Sequence, residues 1–460
     1  MIEQLYSIFL KHPLVCTDTR NIKPGSIFFA LKGGNFNGNE FAEKALEMGC
    51  SYAVIDEEQF VSKDNCGSEQ FPLKKGARGI YGKIVVVEDV LAALQQLANH
   101  HRKQLTIPVI GITGSNGKTT SKELMNAVLS KKYNVLATVG NLNNHIGVPL
   151  TLLSITKEHE MAIVEMGANH QGEIAELSLI AEPDFGVITN IGKAHLEGFG
   201  GIEGVKKGKS ELYKYIQSKQ GLSAGHAGKL FVHGDDEVLL ELSGSTEKVT
   251  YGTKKLYDIV GAVHETKDEF ISFQWATRYN AVSIKKSELI STQLVGIYNY
   301  YNLLCAACVG NYFKVEDELI NQALREYTPS NNRSQLHKTK HNTLILDYYN
   351  ANPSSMSLAI ENFASLGHPN KMLILGDMLE LGSESEKEHD AIVNLLQEKK
   401  LSNALLVGPL FIQAGKKVGA QTFTTSDEAV EFLKRNQVKD ATILIKGSRG
   451  IKLEKVVEVL

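Results

Sequence analysis

Apolar positions along this chain fall into short solid runs separated by stretches where they recur every three or four residues. That alternation predicts buried strands, each followed by an amphipathic helix. The first set is SIFFALK at 26–32, a helical FAEKALEMG at 41–49 and the strand SYAVID at 51–56. EDVLAALQQLANHHRKQL at 88–105 has helical spacing and leads into a strand, IPVIGIT at 107–113, and a helix, SKELMNAVLSKK at 121–132. NVLAT, MAIVEMG and FGVITNIG continue the series of strands. Between about 228 and 295 the pattern becomes strand-rich (KLFVHG, KVTYG, EFISFQWA, NAVSIKK), which predicts an antiparallel extension. After about 320 the alternation resumes with NTLILDYYNANP, KMLILGDM, NALLVGP and TILIKGSRG.

The expected fold is therefore α/β in three domains: a small α/β domain at 1–85, a central domain with a mostly parallel sheet at 86–316, and a Rossmann-like, doubly wound domain at 317–460. A length of 460 residues is consistent with this, because single cores rarely grow beyond about 250 residues. Composition narrows the function. Lys plus Arg number 49 against 52 Asp plus Glu, so no global field draws in nucleic acid or an anionic membrane, and any anion site must be local. The five cysteines, Cys16, Cys50, Cys66, Cys305 and Cys308, show no zinc pattern, and the apolar run YNLLCAACVG reads as a buried helix carrying two of them. MIEQLYSIFLKHP is interrupted by polar residues, unlike a signal peptide, and no apolar run reaches the length of a membrane span. A cytoplasmic, monomeric protein is expected.

Candidate chemistry begins at GITGSNGKTT, residues 111–120, which lies between a predicted strand and a predicted helix. The common phosphate-loop pattern asks for glycine at 112, where this chain has Ile112 between Gly111 and Gly114. Gly114 and Gly117 let backbone approach phosphate oxygens, Lys118 suits the outer phosphates and Thr119 suits magnesium. Thr113, Ser115, Asn116 and Thr120 complete the expected ATP-binding stretch. Glu165 ends the strand of MAIVEMGANH, a position from which a carboxylate can reach the metal. His195 in TNIGKAHLEGFGG follows another strand, and VKKGKSELY places Lys206, Lys207 and Lys209 at a predicted helix start. An Asn-Lys-x-Asp guanine motif, expected of a switch GTPase, does not follow the loop.

The order GITGSNGKTT, NLNNHIGVP, EMGANHQGEI, TNIGKAHLEGFGG and VKKGKSELY closely resembles the Mur ligases, ATP-dependent amide-bond-forming ligases of peptidoglycan precursor synthesis, whose phosphate loop also carries one extra residue. DTRNIKPGSIFFALKGGNFNGNEF resembles the family's uridine-nucleotide segment, opened here by Asp18, Thr19 and Arg20, although Asn37, Gly38, Asn39 and Glu40 replace the usual Asp-Gly-His-Asp. LDYYNANPSSM and LGDMLELG resemble the branch that adds D-alanyl-D-alanine to a UDP-N-acetylmuramoyl tripeptide. The resemblance implies domain roles in chain order of UDP-precursor binding, ATP binding and ligation. Its rivals are a related Mur ligase or a folylpolyglutamate synthetase adding a different amine, such as the ligase that adds the third amino acid, and a nucleotide-binding module without ligase activity.

Carried over by position, the resemblance implies that Lys118, Glu165, His195 and Lys209 are catalytic and that two magnesium ions are held by Thr119, Glu165, His195 and Lys209, the last as a carbamate formed with carbon dioxide. It implies ATP contacts for Asn299, Arg333 and Asp347, with Asn302 supporting the loop and Tyr298 replacing a usual histidine. Thr19, Arg20, Asn141, Asn143, Asn144, Tyr349 and Asn350 are the implied substrate contacts.

Overall fold

The computed structural model describes residues 1–62, 78–219, 228–264, 269–279 and 283–460. Cys66 and the first residues of the predicted strand NAVSIKK lie outside them. The chain packs into two compact units. One comprises Met1–Gly111, Asn134–Gly167 and Ala175–Asp184, and the other Ile112–Tyr133, Ala168–Ile174 and Phe185–Leu460.

The first unit opens with a five-stranded sheet in the order β1 (Val15–Cys16), β2 (Ile27–Phe29), β5 (Tyr52–Ile55), β7 (Ile84–Val86), β6 (Gly79–Tyr81). All its pairings are parallel except β6 with β7. A two-stranded hairpin, β3 (Lys32–Gly33) with β4 (Phe36–Asn37), stands apart from it. Helix Val90–Gln104 starts where Asp89 accepts a hydrogen bond from the Ala92 N–H at 2.7 Å, a side-chain cap for one of the four donors a helix start leaves open. Its buried Arg102 reaches Asp184 at 2.9 Å and the Ala181 carbonyl at 3.0 Å, so the helix is held by directional bonds as well as by its apolar face.

A second sheet has ten strands. From one edge they are β16 (Ser283–Lys286), β15 (Phe270–Tyr279), β14 (Ile259–His264), β13 (Lys248–Gly252), β12 (Lys229–His233), β11 (Phe185–Ile188), β8 (Val109–Thr113), β10 (Met161–Glu165) and β9 (Val135–Ala137), with β17 (Ile290–Val295) also pairing with β15. The five residues of β8 and the five of β10 are buried throughout, as strands covered on both faces must be. The expected antiparallel extension needs correction in part. β12, β13 and β14 continue the sheet in parallel, and antiparallel pairing begins only between β14 and β15. A short helix, Glu237–Ser243, follows β12 and returns the chain for a parallel neighbour, a link that the strand-rich sequence texture hides. On β15, buried Trp275 donates its indole N–H to Asn321 at 2.8 Å.

The third sheet runs β18 (Gln335–Lys338), β19 (Thr343–Asp347), β23 (Thr442–Lys446), β20 (Lys371–Gly376), β21 (Ala404–Val407), β22 (Gln421–Phe423). All pairs are parallel except edge strand β18 with β19. Its core gathers Leu344, Ile374, Val407, Ile443 and Ile445, with neighbouring helices covering them. Cys305 and Cys308 are buried in helix Tyr300–Tyr312, as their apolar surroundings predict. Among the described residues, no helix is long and apolar enough to cross a membrane.

Candidate active site

Strand β8 ends at Thr113, and helix Lys118–Leu129 begins after four intervening residues, so the glycine-rich stretch is a strand-to-helix turn. Two of its glycines are obligatory for different reasons. Gly114 has φ +141°, and a Cβ there would lie 2.0 Å from Thr189 Oγ1. Gly117 has φ +77°, and a Cβ would meet the Asn302 amide at 2.7 Å. Bonds to the next strand's loop fix the turn from outside. Asn190 accepts the Ser115 and Asn116 N–H groups at 3.0 and 3.1 Å, and Thr189 donates to the Asn116 carbonyl at 2.6 Å. Asn302 accepts from Ser121 at 3.0 Å and donates to Asn299 at 2.8 Å, which ties the helix start to Tyr300–Tyr312. The Lys118 ammonium donates to the Gly114 carbonyl at 2.6 Å and so curls over its own loop.

Lys209 lies midway along helix Ile202–Ser218, beyond the helix start where its sequence context placed it, and is wholly buried. Its Nζ donates to the Ala168 carbonyl at 3.2 Å and stands 5.0 Å from the Phe199 ring centre. Burial holds its pKa well below the ordinary lysine value, and the Lys118 charge adds to the effect. Lys206 pairs instead with Glu241 at 3.3 Å. His195 adopts the left-handed backbone region at φ 52°, and its Nδ1 is bonded to the carboxylate of Glu380. That bond also holds the Glu380 carboxyl below its usual range.

Glu165, 1% exposed, accepts the Asn143 amide at 2.8 Å, and its own N–H donates to Thr138 Oγ1 at 2.9 Å. Just before helix Gly147–Leu153, Asn144 accepts the Ile146 and Gly147 N–H groups, while Asn141 stands exposed in the same loop. In the N-terminal domain, Asp18 caps the turn Thr19–Asn21 and is gripped by the exposed Arg20, whose nitrogen lies 2.7 Å from the carboxylate. Those hydrogen bonds lower the Asp18 pKa to about 2. Asn39, at the substituted family positions, is buried, donating to Asn37 and Asp56 and accepting the Asp56 N–H.

From the C-terminal domain, the Arg333 guanidinium stacks 3.8 Å from the centre of the Tyr349 ring, and Arg449 lies 5.6 Å from the same ring. Asp347 forms a 2.6 Å ion pair with nearly buried Lys446 and accepts the Ser334 N–H at 3.2 Å. Tyr298, in place of the family's histidine, bonds to Ser334 Oγ at 3.0 Å. Asn299 donates to the Val295 carbonyl at 2.9 Å, and Asn350 accepts its neighbour's N–H. The structure thus brings Asp347 and Tyr298 to Ser334 and Tyr349 to the adjacent Arg333, and gathers 113–120 around Thr189 and Asn190. Among the described residues, no three His, Cys, Asp or Glu groups converge as a metal cluster.

Several contacts escaped the sequence reading. Asn352 caps helix Pro353–Ser365 in a reciprocal box with Ser355, and its amide also donates to Asn116 Oδ1 at 2.7 Å, joining the DYYNANP turn to the phosphate loop. Lys193 bonds through its N–H to Ser354 at 2.9 Å and through its Nζ to the nearly buried Glu388 at 2.5 Å. The Asn-Pro pair signals a helix cap, but nothing local marks the partner in either contact.

A phosphate loop on a mostly parallel sheet, bonded to a second, doubly wound domain, defines a nucleotide-dependent ligase of three-domain build. Residues 13–102, 112–310 and 332–449 match the catalytic domain of the Mur ligase family, the Mur ligase middle domain and the Mur ligase glutamate ligase domain, respectively. The chain belongs to the Mur ligase family and is an ATP-dependent amide-bond-forming ligase. It is 36% identical to the UDP-N-acetylmuramoyl-tripeptide–D-alanyl-D-alanine ligase of Bacillus subtilis over 97% of this chain and 92% of that protein. A crystal structure of MurF from Acinetobacter baumannii superposes with TM-score 0.82 at 29% identity, covering 100% of this chain and 98% of that one. The MurF ligase from Thermotoga maritima in complex with ADP, 23% identical, shares the fold with TM-score 0.79, covering 98% and 97% of the two chains.

Proposed function

We propose that this ligase joins D-alanyl-D-alanine to a UDP-N-acetylmuramoyl tripeptide, with ATP converted to ADP and phosphate. The observation that carries the reading is the Asn352–Asn116 bond, which sets the branch-specific DYYNANP turn against the phosphate loop. The length-spanning likeness to the Bacillus subtilis ligase supports the same substrates.

A carboxylate is a poor electrophile. The terminal carboxylate of the tripeptide attacks the γ-phosphorus of ATP, ADP leaves, and an acyl phosphate results. The amine of D-alanyl-D-alanine then adds to the acyl carbon, loses a proton, and the tetrahedral intermediate expels phosphate. In this reading Lys118 leaves its loop carbonyls for the outer phosphates, and the backbone at Gly114 and Gly117 admits them. Arg333, stacked on Tyr349, is assigned to the γ-phosphate, and Asp347, which accepts the Ser334 N–H, to the nucleotide. Thr113, Ser115, Asn116, Thr120 and Asn299 complete the ATP contacts. Thr19, Arg20, Asn141, Asn143, Asn144, Tyr349 and Asn350 are assigned to substrate.

Thr119 and Glu165 offer hard oxygens suited to magnesium, and both are almost fully buried. Lys209 cannot ligate a cation as an ammonium, but a buried amine with a depressed pKa has the lone pair that attacks carbon dioxide. As a carbamate it would join His195 at the second ion. When bound, the two ions would screen the charges that meet in phosphoryl transfer. We place the domain limits at 1–85, 86–316 and 317–460, and the enzyme in the cytoplasm as a monomer.

The test measures phosphate release with the UDP-muramoyl tripeptide and either D-alanyl-D-alanine, a single amino acid or no acceptor. D-alanyl-D-alanine is expected to stimulate release selectively. Equal release without it overturns the assignment.

A further inference from the structure

Two residues other than glycine with left-handed backbones meet at one point of the molecule. His195 has φ 52° and Glu380 has φ 63°, a region that is strained for ordinary side chains and persists only where surrounding contacts impose it. Here the contacts are mutual. Glu380 binds His195 Nδ1 through its side chain and accepts the Glu197 N–H through its carbonyl, and Gly382 lies so near Glu197 that a Cβ would stand 3.2 Å from that side chain. Lys193, two residues before His195, is bonded to Ser354 and Glu388 on the same C-terminal domain.

We propose that Glu380 is a positioning residue for His195. An ionised carboxylate only accepts hydrogen bonds, so the nitrogen facing it must carry the proton. Nδ1–H bonded to Glu380 leaves the lone pair of a neutral ring on Nε2, which fixes one of two tautomers and one ring orientation. The C-terminal domain therefore supplies the group that readies a histidine of the central domain. This rests on the reading of His195 as part of the reaction site.

The test uses the full chain and the variants E380A, E380Q, H195A and H195A/E380A. In nucleotide-free protein, ¹⁵N spectra of the imidazole nitrogens, with His195 assigned by its loss in H195A, are expected to show protonated Nδ1 in the parent and in E380Q. E380A is expected to give mixed tautomers. In turnover, E380A should lower kcat about 10- to 100-fold, E380Q should recover most of it, and E380A should cost nothing further in the H195A background. An unchanged tautomer in a folded E380A protein, or an undiminished effect of E380A when His195 is already absent, overturns the proposal. If the parent fails to release phosphate in response to D-alanyl-D-alanine, the functional reading fails instead, and the spectra still decide the pairing.

Discussion

Lys209 shows what a single buried amine asks of its surroundings. Its folded pKa lies below the unfolded value of about 10.4, so between the two the unfolded chain binds more protons and stability declines as pH falls. Replacing it with methionine removes that cost. In bicarbonate-free buffer, Lys209→Met is expected to raise the melting temperature, by about 1 kcal/mol or more in stability, and by more at pH 7 than at pH 10, while ligase activity is lost. Scanning calorimetry at both pH values checks the sign, and a variant less stable than its parent at pH 7 refutes it. Gly114 makes the complementary case at the loop. Gly114→Ala forces its Cβ onto Thr189 and should weaken ADP binding at least about tenfold, or about 1.4 kcal/mol, in titration calorimetry.

At the scale of elements, the C-terminal domain hides a buried polar pin. Asp377, which follows β20, accepts the N–H groups of Leu410 and Phe411 at 2.9 Å and so caps helix Pro409–Val418. His389 accepts the Met378 N–H at 3.1 Å while its other nitrogen bonds to the Ser385 carbonyl, so protonation would break the first contact. Burial accordingly lowers the His389 pKa, and its stabilisation is complete above about pH 6.5 and lost as pH falls below that. His101 and His233 are depressed by burial in the same sense. Melting temperature should therefore drop between pH 7 and 5.5, and His389→Gln, which keeps an acceptor, should flatten the slope without abolishing it. The LGDM run was legible as a polar turn after a strand. That its aspartate caps a helix more than thirty residues on was not, because the pairing is made by sheet order. The same reason separates what was read around the phosphate loop from what was missed. Gly114, Gly117 and Lys118 announce themselves by local spacing, whereas Asn352, Lys193 and Glu380 are common turn and surface residues until the fold supplies their partners. Strand β18, with its exposed Lys338, lacked the apolar run that marked the central strands.

For the molecule as a whole, the bond between Lys193 and Glu388 joins the central and C-terminal domains, and its two ends differ. Glu388 is nearly buried and Lys193 is about half exposed. Lys193→Ala leaves a carboxylate without its cation, whereas Glu388→Gln leaves an exposed lysine free to meet water. The first change is expected to cost about 1 kcal/mol after allowance for the solvent around Lys193. The second is expected to cost less, and Glu388→Gln should relieve part of the loss when added to Lys193→Ala. Denaturant melts of the four proteins measure the cycle, and strict additivity would show that the pair does not couple the domains.

The chain has one tryptophan, Trp275, which is held by Asn321 near the antiparallel end of the central sheet. Its emission is consequently a local reporter. A fluorescence melt follows β15 and the helix bearing Asn321, Asp317–Glu326, and is silent about the five-stranded N-terminal sheet and the C-terminal domain. If fluorescence and circular dichroism give different midpoints, the domains come apart in sequence, and one optical trace from this protein cannot be converted into a single unfolding free energy.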